Sequence, residues 1–391
     1  MSAEAQAYFT KKGDTVTTNK FFPEIHGKFG FGCMCLPMKG GEVDLPQFTQ
    51  MVDAFLASGL NYFDTAHGYL GGKSELTLRE GLTSRYPRDK YILTNKLSTH
   101  FFSREDQIRP LFEEQLKACG VDYFDFYLMH AQDGAIFEKY KKCRAYETAL
   151  ALKAEGKIRH FGISFHDKAD VLDRILTEYP QIEAVQMQFN YVDYEDASVE
   201  SRKVYETAAK HGKPAIVMEP IKGGSLVNLP EEAQKVFDDL HGGSNASYAL
   251  RFAAGFENMM MVLSGMSTLE QLQENVSFMA QPQPLDEREQ EAIQKVREIF
   301  SSMSMIPCTA CHYCVLDNDC PKKIQIPELF SCYNLKTTFH NWNQDYYYNN
   351  ILTHDHGKAS ECLKCGKCEK ICPQHLPIRR LLEQVAAEFE G

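Results

Sequence analysis

The sequence has one tryptophan, no run of eighteen apolar residues and no block of lysine and arginine. Without the apolar run, no helix is expected to span a bilayer. There are 42 Lys and Arg against 53 Asp and Glu, a net charge of −11. Nucleic acid and anionic membrane surfaces are therefore poor partners. The stretch Met1 to Asp14 has no apolar segment of the secretory kind, so a cytoplasmic protein is expected. The first expected strand, within GFGCMC, does not continue as G-x-G-x-x-G, which counts against an open dinucleotide-binding sheet. Disulfides are not expected either. The thirteen cysteines are odd in number, and a reducing compartment keeps thiols free.

What is present is alternation. The 391 residues allow one large barrel plus something small. Short apolar runs recur: FGFGCM (Phe29–Met34), NYFDTA (Asn61–Ala66), KYILTNKL (Lys90–Leu97), YFDFYLMH (Tyr123–His130), RHFGISF (Arg159–Phe165), EAVQMQFN (Glu183–Asn190), PAIVMEP (Pro214–Pro220) and MMMVLSG (Met259–Gly265). Continuous apolar runs suit parallel strands buried on both faces. Helical signals lie between them. Asp44 is an N-cap, Pro46 sits in the first turn, and Phe48, Met51, Val52, Phe55 and Leu56 share one face before Gly59. After Ser103, a second helix carries Ile108, Leu111, Phe112 and Leu116 and ends at Gly120. The predicted fold is α/β: a closed (β/α)8 barrel over residues 25–300. Residues 1–24 are expected to form a hairpin capping the barrel floor. Composition breaks near Phe300, and 301–391 is a separate small domain.

A barrel places its chemistry at the C-terminal ends of its strands. Those ends deliver Asp64, Lys96, His130, Ser164, Gln186, Asn190, Glu219 and Ser264, with Tyr69 on the loop after the second strand. Any one of these could be a solvated or structural residue. Together they make a set suited to carbonyl reduction. A phenol can donate the proton that a developing alkoxide needs, provided a cation stabilises the phenolate. Lys96 supplies the cation, Asp64 holds it, and His130 orients or polarises the carbonyl oxygen.

GLNYFDTAHGY, TNKL and LMHA resemble the segments of the aldo-keto reductase superfamily that carry its catalytic tetrad. The resemblance spans most of 25–300. It implies Tyr69 as general acid, with Lys96, Asp64 and His130 in support. It also implies NADP(H) or NAD(H) lying across the barrel rim without a Rossmann fold. The cofactor-binding set is then Ser164, Gln186, Met218, Glu219, Ser264, Gln271, Glu274 and Asn275. Ser164 and Gln186 would hold the nicotinamide amide, and SGMSTLEQLQENV would face the adenosine. There are departures from the family pattern. Phe165 follows Ser164 where many members have Asn, and Met218 stands where many have a stacking ring. Gly265, Met266 and Gln271 replace the Lys, Ser and Arg that clamp a 2′-phosphate. The loop YLGGKSE is two residues longer than the commoner form.

Nine of the cysteines lie between Cys308 and Cys372. Cys308, Cys311, Cys314 and Cys320-Pro321 read C-x2-C-x2-C-x5-C-P; Cys362, Cys365, Cys368 and Cys372-Pro373 read C-x2-C-x2-C-x3-C-P. Three thiolates at this spacing wrap a cubane, and a distant fourth completes it. Zinc is the alternative, but it would leave the third cysteine of each motif idle. CPKKIQIPELF and CPQHLPIRRLL repeat one pattern, which resembles two-cluster ferredoxins. That resemblance assigns one [4Fe–4S] cluster to Cys308, Cys311, Cys314 and Cys372, and a second to Cys362, Cys365, Cys368 and Cys320. Cys332, Cys119 and Cys143 are expected to be structural. The aromatic and histidine-rich 333–357, with Trp342, is expected to be a packing insert.

Nicotinamide gives hydride and clusters pass single electrons, so a flavin or substrate radical is needed wherever the two communicate. The expected function is an iron–sulfur aldo-keto reductase acting on a small carbonyl-type substrate, with a ferredoxin- or flavodoxin-like carrier as electron partner. Two alternatives remain. One is an electron-transfer or regulatory subunit whose barrel is a non-catalytic platform. The other is an NAD(P)H reductase whose clusters are structural.

Overall fold

The computed structural model describes residues 16–196, 199–303, 305–338 and 343–391. The described residues fall into two compact units. One comprises those up to Pro220 together with Ala246–Leu285; the other comprises Ile221–Asn245 with Asp286–Gly391.

All eight expected strands form in the first unit: β1 (Phe29–Gly32), β2 (Tyr62–Asp64), β3 (Ile92–Leu97), β4 (Phe124–Gln132), β5 (Ile158–Phe165), β6 (Ala184–Gln188), β7 (Ala215–Met218) and β8 (Met259–Gly265). They pair in parallel in the closed order β1-β8-β7-β6-β5-β4-β3-β2, and β2 returns to β1. Every residue of β3 and β6 is buried, as continuous apolar runs require of strands covered on both faces. Tyr62, Ile92, Phe126, Leu128, Ala184, Ile216 and Met261 share one core cluster. Burial of each Ile, Phe, Leu or Met side chain among these contributes about 1.5–3 kcal/mol of transfer free energy. Gly162 in β5 is needed for close approach to β6. A Cβ there would lie 2.7 Å from the carbonyl oxygen of Ala184.

The helix signals act as their sequence implies. Leu45–Ala57 carries Pro in its first turn, and the Asp44 side chain accepts from the Gln47 amide. Ile108–Cys119 stops at Gly120, whose φ of 68° is the left-handed C-cap conformation. Of the expected N-terminal cap, residues 1–15 lie outside the described residues. Beyond them, Thr18 and His26 form an antiparallel bridge. Asn19 donates its amide to the carbonyls of Gly27 and Met260. Phe22 meets Phe126 edge-on, with centroids 5.0 Å apart.

In the second unit, helix Glu287–Ser302 packs on helix Glu231–Asp238. The expected break at residue 300 therefore falls inside this unit, because that helix shares its contacts. Its cysteine-rich part repeats itself. Cys314 and Cys368 lie in the short helices Tyr313–Leu316 and Lys367–Ile371, which pack together. Each Cys-Pro is followed by a twelve-residue helix, Ile326–Thr337 or Ile378–Phe389, and this pair also packs together. Ile324, Leu329, Phe330, Leu376, Leu382 and Val385 belong to the core that joins them. The expected insert residues His340 and Trp342 lie outside the described residues.

Candidate active site

The last residue of β2, the penultimate residue of β3 and a residue near the end of β4 meet the loop after β2. Lys96 donates to Asp64 Oδ1 at 2.5 Å, to the Thr65 carbonyl at 2.9 Å and to Tyr69 Oη at 3.1 Å. Three acceptors use all three hydrogens of an ammonium. Lys96 and Asp64 are fully buried, whereas Tyr69 is half-buried. Burial pushes Lys96 below its usual range, and the adjacent Asp64 opposes that shift.

His130 lies beside this group. Its ring meets the Tyr69 ring edge-on, with centroids 6.0 Å apart. Burial holds its pKa well below the ordinary histidine range, and the charge on Lys96 adds to the effect. The imidazole is therefore neutral at neutral pH. Ser98 Oγ lies 2.6 Å from its Nδ1.

A polar layer backs β3. The Asn95 amide donates to Glu75 Oε1 at 2.7 Å, and His67 Nδ1 meets Glu75 Oε2 at 2.8 Å. Gln115 donates to the carbonyl of Lys96 at 2.9 Å and accepts from Tyr127 at 2.6 Å. Sequence reasoning missed Ser98, Glu75, Asn95 and Gln115. The polar-inside positions Asn95 and Gln115, within otherwise apolar faces, were the available signal.

Of the expected cofactor residues, Ser164, Gln186, Met218 and Ser264 lie in β5, β6, β7 and β8, Glu219 follows β7, and Gln271, Glu274 and Asn275 lie on the helix Leu269–Met279. Ser164 Oγ, in β5, is buried and has no hydrogen-bond partner among the described residues. Gln186 Nε2 donates to Asp64 Oδ2 at 3.1 Å. Met218 and Glu219 are half-buried, and Glu219 takes a left-handed φ of 58°. The Asn275 amide lies 3.4 Å from Ser264 Oγ. Gln271 is exposed, and its Oε1 accepts from the Ser267 amide at 2.8 Å. Glu274 is exposed.

The two cysteine loops share one backbone path. Ala310 and Lys364, each two residues after the first cysteine, have φ of 52° and 54°. His312 and Gly366, two further on, have 61° and 73°, and Lys323 and His375, three after the last cysteine, have 51° and 50°. Five of these six are not glycine, so their surroundings must hold a conformation that L residues disfavour. Cys308, Cys311, Cys314 and Cys372 line one cavity together with Phe330 and Leu376. Cys320 and Cys362 are half-buried, Cys368 is buried and Cys365 is exposed. Among the described residues, no three His, Cys, Asp or Glu side chains are drawn together as a ready-made metal-ligand group.

The Aldo/keto reductase family model matches residues 28–298; the two cysteine motifs begin ten residues later, at Cys308. L-galactose dehydrogenase of Arabidopsis thaliana is 25% identical over 292 residues, 69% of this chain and 89% of that protein. The uncharacterized oxidoreductase YqkF of Bacillus subtilis (strain 168) is 24% identical over 297 residues, 68% of this chain and 90% of that protein. Two solved structures share the fold. The holo form of aldo-keto reductase AKR11C1 from Bacillus halodurans has a TM-score of 0.57 at 24% identity, covering 72% of this chain and 95% of that one. An aldo-keto reductase from Klebsiella pneumoniae in complex with NADPH has a TM-score of 0.57 at 18% identity, covering 73% and 96%. The family match spans well over half of the sequence and coincides with an eight-stranded parallel barrel bearing an Asp–Lys–Tyr–His cluster, so this chain belongs to the aldo/keto reductase family.

Proposed function

We propose that this chain is an oxidoreductase that reduces a carbonyl-type substrate at the barrel rim, with Tyr69 as the proton donor. The observation that carries the reading is the 3.1 Å hydrogen bond from the buried ammonium of Lys96 to Tyr69 Oη. An ammonium at that distance stabilises the phenolate left after the proton moves to the substrate oxygen. Asp64 keeps the ammonium aimed. His130, neutral and beside the phenol, orients the carbonyl and stabilises the charge that develops on its oxygen.

The rim residues fit a nicotinamide nucleotide. The orphaned Ser164 hydroxyl is a buried polar atom in need of a partner, and a carboxamide would satisfy it. Gln186, Met218, Glu219, Ser264, Gln271, Glu274 and Asn275 are the remaining candidate contacts. The NADPH complex of the Klebsiella pneumoniae relative supports this choice; a flavin in the same groove is the alternative. When bound, the nicotinamide supplies hydride to the carbonyl carbon.

The cysteine-rich unit fits two [4Fe–4S] clusters. Its support is the repeated left-handed backbone, the repeated helix pairs, and a cavity lined by the four cysteines of one proposed set. Cys308, Cys311, Cys314 and Cys372 would hold one cluster, and Cys362, Cys365, Cys368 and Cys320 the other. When bound, the clusters pass single electrons, which gives a ferredoxin- or flavodoxin-like carrier a route into the protein.

The test is anaerobic purification, followed by iron, sulfide and flavin analysis and assays of aldehydes and ketones with NADPH and NADH. The reading expects about eight iron and about eight sulfide per chain, with alcohol formed as nucleotide is consumed. Clusters without carbonyl turnover would favour a non-catalytic platform; zinc in place of iron would remove the electron-transfer role.

A further inference from the structure

Resting on the roles proposed for Tyr69 and His130, we infer that Ser98 is a positioning residue that holds His130 in the tautomer with its proton on Nε2. Ser98 follows the last residue of β3 and is buried. Its Oγ lies 2.6 Å from Nδ1 of His130. Its carbonyl accepts from the Phe101 amide at 3.2 Å, which ties down the turn that carries it.

A neutral imidazole has one N–H, and two arrangements satisfy the contact with Ser98. In the first, Nδ1 carries the proton and donates to Ser98. The serine's own hydroxyl proton then needs a second acceptor. Among the described residues, Ser98 Oγ has no bond other than that to His130, so this arrangement strands a buried polar hydrogen. In the second, the hydroxyl donates to Nδ1 and the ring proton sits on Nε2. The serine hydrogen is then used, and the ring hydrogen lies on the nitrogen away from Ser98. Hydrogen-bond accounting selects the second arrangement. Burial, with Lys96, His166 and His100, keeps the ring from taking a second proton.

The selection matters chemically. An Nε2–H donor strengthens its bond as a carbonyl oxygen gains negative charge, whereas a bare Nε2 lone pair would repel that oxygen. A second contact keeps the two strand ends in register. Tyr140 Oη lies 3.1 Å from both the amide and the carbonyl of His130 and donates to the Leu97 carbonyl, the residue before Ser98.

The test is a long-range 1H–15N correlation spectrum of the full chain labelled with 15N-histidine. The His130 signal is identified by its loss in His130→Gln. The wild type should show a protonated Nε2 and an unprotonated Nδ1 near neutral pH. Ser98→Ala should average the two nitrogen shifts. It should also lower kcat for an activated aldehyde such as 4-nitrobenzaldehyde by about 10- to 100-fold, less than loss of a whole charge-stabilising donor, and leave the KM for the nucleotide unchanged. Ser98→Thr should restore both readouts. A wild-type His130 protonated on Nδ1 would overturn the inference, even if the alanine variant does not fold. So would a Ser98→Ala protein that keeps a single Nε2–H tautomer and full kcat. A wild type with the expected tautomer but no carbonyl turnover would refute the proposed reaction and leave the tautomer assignment standing.

Discussion

Gln186 donates its amide to Oδ2 of Asp64 at 3.1 Å, while Lys96 occupies Oδ1. A residue expected against the cofactor is thus also part of what holds the buried carboxylate. Asp64→Asn leaves the Lys96 ammonium buried without a countercharge and should cost about 3–5 kcal/mol. Gln186→Ala leaves the ion pair intact and should cost about 1 kcal/mol. Urea denaturation ranks the two; equal losses would contradict the account.

Glu183 holds the lower part of β5. Burial alone would raise its pKa. Hydrogen bonds from His160, Lys153 and the Phe161 amide outweigh that and bring it down to about 2 from its usual 4.5. A carboxylate whose folded pKa is depressed stabilises above its unfolded value, and that stability is lost as pH falls toward the folded one. The wild type should therefore be more stable than Glu183→Gln at pH 7, with a gap that narrows as pH falls from about 4.5 toward 2. Thermal melts across that range check it; a pH-independent gap would refute it.

The barrel was legible in the sequence because parallel strands covered on both faces leave continuous apolar runs, and each of the eight runs overlaps a strand. Asp64, Lys96 and His130 were legible because strand ends are where a barrel collects polar groups. Ser98 was not, because nothing local marks it. It matters only once β3 and β4 close side by side and bring its hydroxyl to His130. The membership of 221–245 in the second unit was equally hidden, since it depends on the packing of two helices distant in sequence. The left-handed residues around the cysteines went unread because Ala310, His312, Lys323, Lys364 and His375 are not glycine, the residue that usually announces such a backbone.

Nucleotide preference follows from SGMSTLEQLQENV, which contains no lysine or arginine. Gln271 there caps the Ser267 amide and offers no charge to a 2′-phosphate. The expected outcome is discrimination between NADPH and NADH of less than about tenfold, with Gln271→Arg raising NADPH affinity about tenfold or more. Fluorescence titration with both nucleotides measures it. Strong NADPH preference in the wild type would show that another part of the rim binds the phosphate.

Removal of one ligand tests the cluster assignment. Cys372→Ser should lose about half of the bound iron. Cys332 is buried, and its thiol is directed to the Gln344 carbonyl at 3.5 Å, so Cys332→Ser should retain all of it. Iron analysis and anaerobic absorbance spectra decide; equal loss from the two variants would contradict the ligand sets.

Carbonyl reduction by Tyr69→Phe, compared with the wild type at saturating nucleotide, tests the central claim most directly. The substitution keeps the ring and removes only the hydroxyl that Lys96 contacts. The account predicts a fall in kcat of about 10²- to 10⁴-fold, with nucleotide affinity unchanged. A variant that reduces the same carbonyl at the wild-type rate would contradict it.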